Sequence, residues 1–173
     1  IGIDVLVNGE PLDLNTAKIH SFTRVLDMHA GVYTREVVLT TPNGVKLKIK
    51  AVRFLAMFQQ ELGCIKYSIQ LYEQGAELTV SPYVDGHIKN LDSNWDDPFW
   101  ELKDQQCDGN FAYLQSKTFK SNFDVISYQA VSFSIDGKQT KDFSCKQNDG
   151  YTSFVCQTDL LPNQAFEVEK MGG

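Results

Sequence analysis

Pro42-Asn43-Gly44-Val45-Lys46-Leu47-Lys48-Ile49-Lys50-Ala51 carries the clearest periodicity in the chain. A turn triplet opens it, and apolar and lysine side chains then alternate strictly. A period of two means an extended strand with one buried and one wet face. Lys46, Lys48 and Lys50 form that wet face rather than a basic patch for nucleic acid. The same signal recurs outward from here. Val5-Leu6-Val7 runs into Asn8-Gly9, a two-residue hairpin signature, and residues 12–14 return. Strands are predicted at 22–28, 32–41, 64–72 and 76–83, with turns at Ala30-Gly31 and Glu73-Gln74-Gly75. Further strands are predicted at 111–119, 123–135, 140–145, 151–157 and 165–171, three of them joined by Asp136-Gly137 and Asn148-Asp149-Gly150. Helical pattern is confined to a turn or two at 54–63 and a short helix at 96–103, with Pro98 near its first turn. Many short strands with Gly-rich turns predict an all-β antiparallel sandwich or barrel.

The composition sets the outer bounds. At 173 residues, 42% hydrophobic and 12% aromatic, the chain is one ordinary domain, or a piece of a larger one, with a real core. A net charge of −6 and a pI near 5.0 argue against nucleic acid. No apolar run has the length of a membrane span, and no signal peptide opens the chain. The first residue is Ile1, which leaves the compartment, cytoplasmic or secreted, open. Cys64, Cys107, Cys145 and Cys156 follow no metal spacing. Cys145 and Cys156 flank a predicted hairpin, where a bridge is geometrically open; buried free thiols are the commoner outcome.

One long segment breaks the regular spacing: Pro82-Tyr83-Val84-Asp85-Gly86-His87-Ile88-Lys89-Asn90-Leu91-Asp92-Ser93-Asn94-Trp95-Asp96-Asp97-Pro98-Phe99-Trp100. It holds both tryptophans of the chain. Long loops in compact domains are functional or disordered, and two indoles argue against disorder. Amides and carboxylates suit sugar hydroxyls, and flat aromatic faces suit the C–H faces of a pyranose. Asp85, His87, Asn90, Asp92, Asn94, Trp95, Asp97 and Trp100 are therefore the candidate carbohydrate-facing residues. The plainer reading is a solvated connection in which Trp95, Phe99 and Trp100 plug the core.

Catalytic constellations are absent from the sequence. His20, His29 and His87 stand in separate contexts, with no phosphate-cradling loop and no zinc-protease motif. Asp92, Asn94 and Asp96 imitate the start of a calcium loop. Asp97 then stands where the turn glycine belongs and Lys103 where the bidentate glutamate belongs, which excludes an EF-hand. Asp85, Asp92, Asp96 and Asp97 are the carboxylates available for glycoside chemistry. In an open acidic loop they stay ionised, whereas a general acid needs burial to raise its pKa. No catalytic residue and no metal site is predicted.

Three blocks carry a resemblance. Arg24-Val25-Leu26-Asp27-Met28-His29-Ala30-Gly31-Val32-Tyr33-Thr34-Arg35, then Arg53-Phe54, then Pro82-Tyr83-Val84-Asp85-Gly86 with Asn90 and Asp92, resemble the N-terminal domain of glycoside hydrolase family 65. That family includes maltose, trehalose and kojibiose phosphorylases and trehalase-like hydrolases. Tyr33 and Val84 stand where its members have leucine. The blocks span roughly residues 22–100; residues 101–173 add no signature. The resemblance implies a β-supersandwich related to the galactose mutarotase type. It also implies that catalysis sits on a separate (α/α)6 barrel, a partner in the same chain that supplies the glutamate acid. Phosphorolysis would use inorganic phosphate as co-substrate with no other cofactor. A family block of Asn-Gly-Tyr-Leu-Gly type is not found ahead of these motifs, so the segment is expected to be trimmed at both ends and not catalytic alone. A homodimer of the parent stays open. In this frame Leu26 and Met28 point to the core and Gly31 takes a positive φ. Arg24, Arg35 and Arg53 pair with Asp27 or Asp85, and Asp85-Gly86 aims the long loop outward.

Three functions follow. The first is a non-catalytic β-sandwich domain of an inverting α-glucoside phosphorylase or hydrolase, docked on the barrel. The second is a free-standing carbohydrate-binding module using the same loop. The third, a mutarotase-like enzyme, needs a histidine and a carboxylate converging in one cleft. An unpartnered apolar patch beside the loop separates the first from the second.

Overall fold

The Asn8-Gly9 hairpin shows how local chemistry writes this fold. Both residues take positive φ, 51° and 79°, the backbone of a two-residue turn whose twist matches its strands. The computed structural model describes residues 2–88 and 99–173. Among them the chain is all strand, with no helix. The strands are β1 (Gly2–Val7), β2 (Glu10–Pro11), β3 (Lys18–Asp27), β4 (Val32–Thr40), β5 (Lys46–Leu55), β6 (Gly63–Leu71) and β7 (Ala76–Asp85). After the long segment come β8 (Trp100–Asp108), β9 (Phe111–Thr118), β10 (Asp124–Ile135), β11 (Lys138–Thr140), β12 (Phe143–Asn148), β13 (Tyr151–Leu160) and β14 (Ala165–Gly172).

All pairings are antiparallel, in two sheets. The smaller runs β12-β13-β7-β1-β2 and the larger β3-β4-β5-β6-β14-β10-β9-β8, with β11 on β10. The alternation read in Lys46–Ala51 holds: Leu47, Ile49 and Ala51 are fully buried. Lys48 meets Glu36 at 2.8 Å on the wet face. The core joins Val5, Leu78, Val80 and Phe154 of the small sheet to Val37, Leu39, Ile69, Phe133, Phe166 and Val168 of the large one. Two polar straps cross it. Lys170 of β14 donates to the carbonyls of Gly2 (3.0 Å) and Tyr83 (2.6 Å). The Gln129 amide donates to Pro82 O and Thr152 O, both 3.4 Å. Pro82 has no N–H to give in mid-strand, and the recorded β7–β13 register passes from Ser153 to Cys156 beside it.

Several expectations are corrected. Residues 100–103, expected in a helix, open β8, which pairs with β9; the ladder overrides the weak helical pattern. Residues 54–63 form no helix: β5 runs on to Leu55, β6 starts at Gly63, and a turn closed by Ala56 N–H to Leu62 O and Leu62 N–H to Gln59 O joins them. Leu26 and Met28 are 63% and 85% exposed rather than in the core. The small sheet is too narrow to reach β3, whose ten residues are all exposed. Cys145 bridges Cys107, with a Cα–Cα distance of 6.3 Å, and Cys156 is free and buried. In the hairpin register Cys145 faces Phe154 and Cys156 faces Phe143, so the two cysteines between which a bridge was open are offset by two residues. The bridge instead ties β8, an edge of the large sheet, to β12, an edge of the small one.

Candidate functional site

Asp85 closes β7 and Trp100 opens β8, so the two stand either side of the long segment. Asp85 Oδ1 accepts the N–H of His87 at 2.9 Å, an Asx turn built by the Asp85-Gly86 pair. His87 Nε2 donates to the carbonyl of Asp149 at 2.6 Å, which sets the Nε2-H tautomer. Gly86 N–H donates to Gly150 O at 2.8 Å. The Trp100 indole N–H donates to Gly86 O, also at 2.8 Å. Gln105 completes the clasp: its carbonyl takes the Gly150 N–H at 2.9 Å and its amide gives to Asn148 O at 2.8 Å. The base of the segment is thus locked onto the β12–β13 turn. A recess of about 290 Å³ lies there, between His87, Trp100 and Leu102.

Of the predicted sugar-facing residues, Asp85, His87 and Trp100 are brought together here. Asp85 Oδ1, His87 Nε2 and the Trp100 indole N–H are each held by a backbone group. Asn90, Asp92, Asn94, Trp95 and Asp97, with the calcium-like run, lie outside the described residues. Among the described residues no group of three metal-ligating side chains converges.

A larger concavity, about 1010 Å³, opens where the small sheet stops short of β3. Arg35, Arg53 and Tyr67, which line it, stand on one face of the large sheet, and Asp13 and Asn15 of the β2–β3 connection line it as well. Arg24 lies opposite Arg35, Arg35 opposite Ala51, and Ala51 opposite Tyr67. Tyr33 lies opposite Arg53. The arginines do not pair with Asp27 or Asp85 as the sequence suggested. Asp27 is used by the N–H groups of His29 and Ala30, at 3.0 and 2.9 Å. Arg24 lies 4.7 Å over the Phe22 ring. Arg35 Nε is buried without an acceptor. Burial pushes the Tyr67 phenol up to about 12, against the opposing pull of Arg35 and Arg53. Burial also pulls the Lys170 ammonium down to about 7. No histidine is among the residues lining this concavity. The alternation of arginines on successive strands was the one sequence signal for this surface, and pairing them with aspartates concealed it.

Residues 1–173 match the sequence model of the glycosyl hydrolase family 65, N-terminal domain, from end to end. The chain belongs to that family. The resemblance carried by the three blocks is therefore correct. This family 65 N-terminal domain is 32% identical to the maltose phosphorylase of Bacillus subtilis over 76% of its own length. It is 30% identical to the alpha,alpha-trehalose phosphorylase of Thermoanaerobacter brockii over 70%. In both cases it spans only 17% of the relative. A solved structure, a kojibiose phosphorylase candidate from the human microbiome, superposes on 98% of the domain. Its TM-score is 0.84 and its identity 24%, and the domain covers 21% of that chain. The likeness bears on fold, and agrees with the expected antiparallel β architecture.

Proposed function

We propose that this family 65 N-terminal domain is the non-catalytic β-sandwich of an inverting α-glucoside phosphorylase or hydrolase. It packs against a helical catalytic barrel in the same polypeptide. The observation that carries this is its share of its phosphorylase relatives, 17% of each. A second supports it: Phe99, Phe119 and Phe123 stay exposed beside the long segment, with Phe119 N–H bonded to Phe99 O. Grouped exposed aromatics next to a rigid loop base suit a docking face. Asp85, His87 and Trp100 hold the base of the loop. Asn90, Asp92, Asn94, Trp95 and Asp97 are the further substrate-facing candidates. Inorganic phosphate is the co-substrate if the parent is a phosphorylase.

The test is to incubate the parent polypeptide with maltose, trehalose or kojibiose, with and without phosphate. Glucose 1-phosphate released only with phosphate present supports the phosphorylase reading; release of glucose alone points to a hydrolase. A parent that cleaves none of them overturns the proposal. The clasped loop base also suits a free-standing binding module. That reading gains if residues 1–173 alone bind these sugars with a change in tryptophan fluorescence.

A further inference from the structure

We infer that the concavity over β3, β4 and β5 seats an extended segment of the same polypeptide from outside residues 1–173. This segment adds a strand to the free edge of β3 and sets a carboxylate against Arg35 and Arg53. The inference rests on the reading that the domain works within a longer chain.

β3 is paired only with β4 among the described residues, so every second backbone N–H and C=O along its other edge lacks a ladder partner. All ten of its residues are exposed, and apolar ones occupy both faces: Phe22 and Leu26 on one, Val25 on the other. Folded proteins shield long apolar edges with charge, bulges or a covering element, because an open edge recruits strands. The lone irregularity here lies between Ile19 and Ser21, at one end. Around the rim, Leu55, Met57 and Phe58 are 77%, 91% and 90% exposed. The burial of β4 falls from its Thr40 end to its Val32 end, which marks where cover by the small sheet stops.

The chemistry of the missing cover is written in the arginines. Arg24, Arg35 and Arg53 share one face, Arg35 and Arg53 line the concavity, and among the described residues none of the three forms an ion pair. Arg35 Nε is already dehydrated, and a buried donor left without an acceptor is destabilising. A carboxylate matches the guanidinium fork with two charge-assisted bonds. The floor and rim, Leu26, Phe54 and Ile65, ask for apolar neighbours. An extended strand with alternating apolar and acidic residues satisfies both demands. The topology makes a segment of the same polypeptide the economical occupant. Gly2 and Gly172 both line the concavity. Phosphorylase relatives have ample chain to supply such a segment.

The experiment uses the full parent polypeptide. Hydrogen exchange by mass spectrometry is read at residues 18–27, together with photo-crosslinking from a benzophenone amino acid at the exposed Leu26 position. Both alternating sets of β3 amides should exchange at least about tenfold more slowly than unstructured-peptide rates. The crosslink should land on a segment outside 1–173 that contains Asp or Glu. Free exchange of the outward set of amides overturns the inference. So does a crosslink to the barrel's helices, or to residues 1–173 of a second copy with protection lost on dilution. Arg35→Met should speed exchange of the outward amides and Arg35→Lys should do so less; equal exchange in both variants removes the carboxylate. Phosphorolysis without β3 protection would leave the proposed function intact and sink this inference, and protection without sugar cleavage would do the reverse.

Discussion

Trp100 donates its indole N–H to the carbonyl of Gly86 at 2.8 Å, joining the two sides of the 89–98 segment across its base. The bond ties the residue that follows β7 to the first residue of β8. A long recognition loop works best with its ends held, since ordering it costs entropy that its contacts must offset. Trp100→Phe keeps the aromatic bulk and removes the donor. It should lower stability by about 1–2 kcal/mol, the cost of a partly buried carbonyl left unpaired. Urea unfolding of residues 1–173 measures this. A midpoint equal to that of the unaltered chain would mean that Trp100 does not hold the loop.

Lys170 sets a pH dependence. Burial takes its ammonium from the ordinary 10.5 down to about 7. Between those values the folded chain has shed a proton that the unfolded chain keeps, so stability rises with pH across the window. Below about 7 both states are protonated and the burial cost is felt in full. The unaltered chain should therefore gain more stability between pH 6 and 9.5 than Lys170→Met, compared by urea midpoints. Parallel pH profiles would show that the two carbonyls facing Lys170 hold it charged.

The Cys107–Cys145 bridge closes a loop of sequence separation 38 and staples two sheet edges. Intact-mass measurement after alkylation should find two free thiols, on Cys64 and Cys156. Cys156 should react last, because burial and the nearby Asp142 push its thiol up to about 11. Replacing Cys107 and Cys145 together by serine should cost up to about 3–4 kcal/mol on loop-entropy grounds. Four alkylated cysteines in the unreduced chain would contradict the pairing.

Leu39 and Leu26 lie on one face of the large sheet, one buried and the other open. In residues 1–173, Leu39→Ala should cost about 2–5 kcal/mol and Leu26→Ala no more than about 0.5 kcal/mol. Thermal melts decide. A comparable loss at both positions would mean that β3 is covered in the isolated domain.

Much of the architecture was legible because strand patterning is local. The alternation at Lys46–Ala51, the Asn8-Gly9 hairpin and the Asp136-Gly137 turn each contain their instruction within a few residues. β8 was missed for the same reason inverted. Its Trp-Glu-Leu-Lys-Asp-Gln-Gln-Cys-Asp run is polar and weakly patterned, and only its ladder with β9 makes it a strand. At the candidate loop site, the Asp85-Gly86 turn could be read directly. The bond from His87 to Asp149 could not, since 62 residues separate the pair.

The sequence by itself determined the all-β antiparallel class, the turns and the family. Those depend on period-two burial, on φ preferences and on short ordered motifs, all carried by neighbouring residues. Tertiary structure alone decided which faces are covered. The same alternation that buries Ile49 leaves Leu26 open, because burial depends on whether the opposite sheet reaches that far. It also decided the partners of Cys145 and of the arginines. Register and sheet order bring distant strands together, and no local pattern encodes that distance.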